Sequence, residues 1–78
     1  MKKAKIQILF GQRVRFLRKL HGWSQESLAA RCGLDRTYIS GIERGIRNPT
    51  LEIVLTLATS FEMELDVFFD WDGFKERL

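Results

Sequence analysis

The sequence predicts an all-α domain, a compact bundle of five short helices, and three observations carry the prediction. Apolar residues recur at steps of three and four along most of the chain, the spacing that lines one face of a helix. Ser24, Asp35 and Thr50 stand just before three of these runs, where a side-chain oxygen can accept an unpaired backbone N–H. Gly22, Gly33 and Gly45 fall where runs end, and glycine enters the left-handed conformation of a helix stop without a Cβ penalty. At 78 residues the chain is one small domain, near the size where apolar burial only just offsets chain entropy and a partner subunit helps. A hydrophobic content of 45% is that of a folded globular protein and disfavours a disordered chain.

Residues 1–5, MKKAK, read as a flexible basic arm, either solvated or touching phosphates; residues 6–72 form the domain and 73–78 a C-terminal tail. From Ile6 a helix is expected to run to about Leu20, with Phe10, Val14, Leu17 and His21 facing the core and Gly22 as its stop. Gly11 weakens it slightly. Arg13, Arg15 and Lys19 have the outward phase, either as ordinary surface charges or as part of a basic face. Trp23 precedes the Ser24 cap and is placed to clasp the next helix as an apolar staple.

The second helix starts at Gln25, with Leu28, Ala29 and Cys32 inside and Gln25, Glu26 and Arg31 outside. Gly33 turns the chain and Leu34 plugs the turn. Asp35 caps the third helix, whose buried edge is Ile39 and Ile42 and whose other edge holds Arg36, Thr37, Tyr38, Ser40 and Arg44. After Pro49, Thr50 caps a fourth helix with Leu51, Val54, Leu57, Ala58 and Phe61 as its inner stripe. The remaining MELDVFFDWDGFKERL carries Phe68, Phe69, Trp71 and Phe74, more aromatic surface than a small monomer readily hides. A short helix or a frayed end is expected after Asp72.

Two short helices around a glycine turn, the second with a polar and basic edge, have the layout of a DNA-reading helix-turn-helix. Counting from Gln25, alanine is fifth, glycine ninth, and apolar residues stand fourth, eighth, tenth, fifteenth and eighteenth. That pattern resembles the helix-turn-helix of phage repressors and Cro, and so implies a lambda-repressor-like DNA-binding domain. The run LDRTYISGIERGIRNPTL is most similar to the small controller proteins of restriction-modification operons, and the resemblance covers residues 10–69. It implies a cytoplasmic homodimer acting on its own operon at an inverted-repeat operator in double-stranded DNA, duplicated so that one dimer activates and a second represses. RNA polymerase is a further candidate partner.

The resemblance also assigns residues. Arg18 matches an arginine that pairs across the domain with the glutamate matching Glu43, and Gln25 matches a position that anchors the protein to the DNA backbone. The last helix and its neighbour make a two-fold interface in that family, for which Leu65, Val67, Phe68 and Phe69 are the candidates here, completion of the core being the alternative. From the residues themselves, Arg44, Arg47 and Asn48 form a second phosphate clamp, although Asn48 also suits the turn before Pro49. Arg36 is the main candidate for base readout, since a guanidinium can bond guanine O6 and N7 together, with Thr37, Tyr38 and Ser40 assisting. Tyr38 could instead pack on its own helix. Gly41 leaves a gap into which the DNA backbone or a partner side chain could come.

Charge supports this division of the surface. Residues 1–48 hold eleven Lys/Arg against three acids, a balance of +8, and residues 49–78 hold two against seven, a balance of −5. A polyanion is drawn to one part and repelled by the other. An enzyme is not expected, because no catalytic triad, phosphate loop or metal cluster can be assembled, and no cofactor or metal is implied. The lone Cys32 permits no internal disulfide and reads as a small buried hydrophobe. No run approaches about 18 apolar residues, so no membrane span is expected. Two alternatives share the fold: a phage-type repressor, and an antitoxin that sequesters a toxin through the acidic aromatic tail.

Overall fold

A computed structural model describes residues 5–77, apart from the side chains of Lys5, Glu76 and Arg77. Of the basic arm expected at residues 1–5, residues 1–4 lie outside the described residues and Lys5 is the first residue of a helix. Helices α1 (Lys5–Leu20), α2 (Gln25–Cys32), α3 (Arg36–Glu43), α4 (Leu51–Ser60), α5 (Leu65–Phe68) and α6 (Asp72–Arg77) follow one another with no strand among the described residues. Of the short helix and the frayed end expected after Asp72, the structure shows the helix, and Phe74 within it is buried against Phe69 and Trp71, with ring centroids 5.2 and 5.1 Å away.

The three expected caps form. Ser24 Oγ, Asp35 Oδ2 and Thr50 Oγ1 accept the backbone N–H of Ser27, Thr37 and Ile53 at 3.0, 2.9 and 3.2 Å. At the other ends, Gly33 and Gly45 take φ of 67° and 80° and each closes its helix with a paired set of bonds. Gly33 N–H donates to Ala30 O and Leu34 N–H to Ala29 O; Gly45 N–H donates to Ile42 O and Ile46 N–H to Gly41 O. This double closure satisfies carbonyls that a helix end leaves unpaired. α4 ends the same way on Glu62, which holds a φ of 59° without being glycine.

The core gathers Phe10, Val14 and Leu17 of α1, Leu28 and Ala29 of α2, Ile39 and Ile42 of α3, and Leu57, Ala58, Phe61 and Phe68 from the second half. α1 crosses α3 so closely at Gly11 that a Cβ there would collide with the carbonyl oxygens of Ile42 and Glu43. The glycine is thus a packing requirement rather than a weakness of the helix. Trp23 packs on this core, stacked with His21 at 4.4 Å and lying 5.8 Å from the Phe61 ring, with the Arg31 guanidinium 3.9 Å from its ring centre. His21 itself is exposed, not core. Cys32 is half-buried, and burial pushes its thiol pKa up.

Like His21, Arg13 and Leu51 lie opposite to their expected side. Arg13 is only 6% exposed, because α1 is covered on a second flank by α5 and α6; its Nε donates to Phe68 O at 2.7 Å. Burial lowers its pKa and nearby Asp70 opposes the shift. Leu51, expected inside α4, is 88% exposed, since the first turn of that helix projects beyond the core. Of the two readings left open for Phe68, dimer contact or completion of the core, the structure takes the second: it is fully buried beneath α1, with its ring 5.5 Å from Phe10, and leaves the surface to its neighbours.

Candidate nucleic-acid interface

The turn at Gly33 sets α3 across α2, and the Asp35 cap starts α3 with Arg36 and Thr37 exposed at its first two positions. Ile39 and Ile42 anchor the opposite side in the core. Ser40 is half-buried and Arg44 is exposed farther along, where its Nε reaches the Ser40 carbonyl at 3.4 Å. Tyr38 is half-buried and packs on the core.

Arg47 and Asn48 are exposed in the loop after α3, but Arg47 does not extend away from it. Its guanidinium carbon stands 5.3 Å from the centre of the Tyr38 ring, a favourable cation over an aromatic face. Its Cγ and Nε lie 2.8 and 3.0 Å from where a Gly41 Cβ would be. The gap at Gly41 is therefore filled by this chain's own arginine. Sequence periodicity could not show this, because residue 47 lies past the helix stop.

A buried network fixes this face. Arg18 Nε meets Glu43 Oε2 at 2.6 Å, and a terminal nitrogen of the same guanidinium donates to Glu43 Oε1 at 3.0 Å. The other terminal nitrogen donates to Trp23 O at 2.8 Å. Gln25 Nε2 adds a bond to Glu43 Oε1 at 3.1 Å. One carboxylate, its side chain 2% exposed, thus ties α1, the start of α2 and the end of α3 together. The amide of Gln25 keeps one N–H beyond the bond to Glu43, at the open N-terminus of α2.

Away from this face, Leu65, Val67 and Phe69 are partly exposed around the acidic α5. Leu51 and Leu55, one turn apart on α4, are also exposed, and Leu55, Met63 and Leu65 line one cleft. Leu55 escaped the sequence reading because it lies off the α4 inner stripe, and an exposed leucine has no signature of its own. Among the described residues no helix is long and apolar enough to cross a membrane, and no group of side chains is arranged to hold a metal ion.

Residues 14–68 match the helix-turn-helix family. The chain belongs to that family. Among its relatives, control protein C.BamHI of Bacillus amyloliquefaciens is 56% identical over 48 residues, 60% of this chain and 59% of that protein. The chain spans about half the length of several relatives that it matches. The crystal structure of the restriction-modification controller protein C.AhdI from Aeromonas hydrophila is 49% identical, with a TM-score of 0.77 over 81% of this chain and 96% of that one. The controller protein C.Esp1396I, solved as a tetramer with its natural 35 base-pair operator, is 37% identical, with a TM-score of 0.79 over 90% of this chain and 91% of that one. The matched residues include α2 and α3, the two helices that the spacing counted from Gln25 expects.

Proposed function

We propose that this chain is a sequence-specific DNA-binding transcription regulator, a controller of a restriction-modification operon that acts on its own promoter as a homodimer in the cytoplasm. The observation that carries the reading is the exposed face of α3, with Arg36 and Thr37 at its tip and Arg44 and Arg47 behind them, held rigid by the Arg18–Glu43–Gln25 network. Affinity comes from phosphates through Gln25, Arg44, Arg47 and Asn48, each neutralised charge releasing counterions. Sequence choice comes from base edges, led by Arg36 on a guanine with Thr37, Tyr38 and Ser40 beside it.

Leu51, Leu55, Leu65, Val67 and Phe69 supply the two-fold contact on the acidic side, which DNA repels. RNA polymerase belongs to the activating half of the controller reading. We favour this reading over an antitoxin because Phe68 and Phe74 of the aromatic tail are buried in this chain's own fold and are not displayed for a toxin. A nuclease footprint of the purified protein on the DNA just upstream of its own gene tests the proposal. Protection of an inverted repeat there at concentrations that leave unrelated DNA uncovered supports it, and protection that appears only together with that of unrelated DNA counts against it.

A further inference from the structure

Arg13 is a buried charge that the proposed DNA-binding face does not use. Its Nε donates to Phe68 O at 2.7 Å, a terminal nitrogen donates to Val67 O at 3.2 Å, and the guanidinium carbon stands 5.7 Å from the Phe68 ring centre. Among the described residues no buried carboxylate is left for it, since Glu43 is engaged by Arg18. The acid close enough to act on it, Asp70, is exposed and pairs with Lys75 at 2.6 Å. What holds the charge in place is therefore the C-terminal end of α5, through the Phe68 carbonyl and through the Val67 carbonyl, which also accepts the Asp70 N–H at 3.1 Å.

The dependence also runs the other way. A helix of four residues is far too short to persist on its own hydrogen bonds, so α5 takes the orientation of whatever it is fastened to. It packs against α4, the Phe69 ring after it lies 6.3 Å from Phe10 and 5.2 Å from Phe74, and two fastenings bear directly on its last turn: the Phe68 ring in the core and the Arg13 fork on the carbonyls of residues 67 and 68. Those two carbonyls belong to the peptide planes that join Val67 to Phe68 and Phe68 to Phe69. Fixing both planes turns Phe68 inward and leaves Val67 and Phe69, 48% and 38% exposed, displayed on either side of it.

We propose that Arg13 is a positioning residue for self-association: it holds α5 so that Val67 and Phe69 present one fixed apolar surface to a second copy of the chain. The proposal rests on the dimer described above. It requires a planar two-pronged donor rather than a point charge, so lysine should substitute poorly.

The test measures the dimer dissociation constant by sedimentation for the full-length chain and for Arg13→Met, Arg13→Lys, Val67→Ala and the Arg13→Met/Val67→Ala double variant, with circular dichroism as a check on the fold. Arg13→Met should keep its helical signal and weaken dimerisation at least about tenfold, and Arg13→Lys should recover only part of that loss. If Arg13 acts through α5, the double variant should be no weaker than Arg13→Met alone to within about twofold, because the Val67 contact is already lost. Arg13→Met dimerising like the parent, or effects that simply add, would overturn the proposal. So would loss of the cooperative fold in both Arg13 variants, which would make the residue a stability element. A parent chain that stays monomeric at high concentration would instead contradict the dimer itself, and this inference with it.

Discussion

Replacing Glu43 by alanine should be among the most damaging changes available in this chain. The carboxylate accepts bonds from Arg18 at 2.6 and 3.0 Å and from Gln25 at 3.1 Å. After its removal the Arg18 side chain, only 11% exposed, retains the single bond to Trp23 O at 2.8 Å and no counter-charge. Breaking a buried pair by removing one partner costs about 3–5 kcal/mol, against a total stability of about 4–12 kcal/mol for a domain of this length. The thermal midpoint should therefore fall by at least about 12 °C. Urea unfolding followed by circular dichroism measures the loss directly. The double variant Arg18→Met/Glu43→Leu, which removes both charges and keeps the volume, should recover most of it. A single-variant loss below about 1 kcal/mol would show that the pair behaves as a surface salt bridge and would refute the reasoning.

Gly11→Ala should destabilise the fold by more than about 2 kcal/mol, far beyond the small gain that alanine brings to an ordinary helix position, because its Cβ would strike backbone oxygens of α3 that cannot move as a side chain can; the same urea titration checks it. Arg36→Ala should cost about 1–3 kcal/mol at its cognate base pair and relax preference there, whereas Arg47→Ala should weaken all sequences about equally and reduce the salt slope by about one unit, as read by binding titrations on base-substituted duplexes. The Asp70 carboxyl, held below the ordinary carboxylate range by its bond to Lys75, should titrate lower in the folded than in the unfolded chain. That contribution is present above the unfolded pKa and fades as pH falls through the folded one, and Lys75→Ala should return the NMR titration of Asp70 towards the ordinary range.

What could be read from the sequence was what is local. Ser24, Gly33, Asp35 and Gly45 fix the two helices of the motif within a few residues of themselves, and the structure places them as their chemistry dictates. The Arg18–Glu43 pair spans 25 positions and was visible only through family resemblance. Arg13 was misplaced because a single helical stripe assumes one buried face, while α1 has two, and the second is made by residues more than fifty positions away. Phe68 and Phe69 are adjacent and chemically identical, so only the packing of α5 decides which one enters the core. Gly11 and Gly41 both carry close approaches, to the α3 backbone and to Arg47, that no periodicity reports.

The central claim is that two copies of α3, related by a two-fold axis, read an inverted repeat from one face of DNA. Half-site centres should then lie about one helical turn, or about 10 base pairs, apart. The most direct measurement is the affinity for the footprinted operator before and after inserting about five base pairs between its half-sites, which turns one half-site to the opposite face. Binding should fall towards the non-specific level, typically a loss of about a thousandfold or more. Unchanged affinity after the insertion would contradict it.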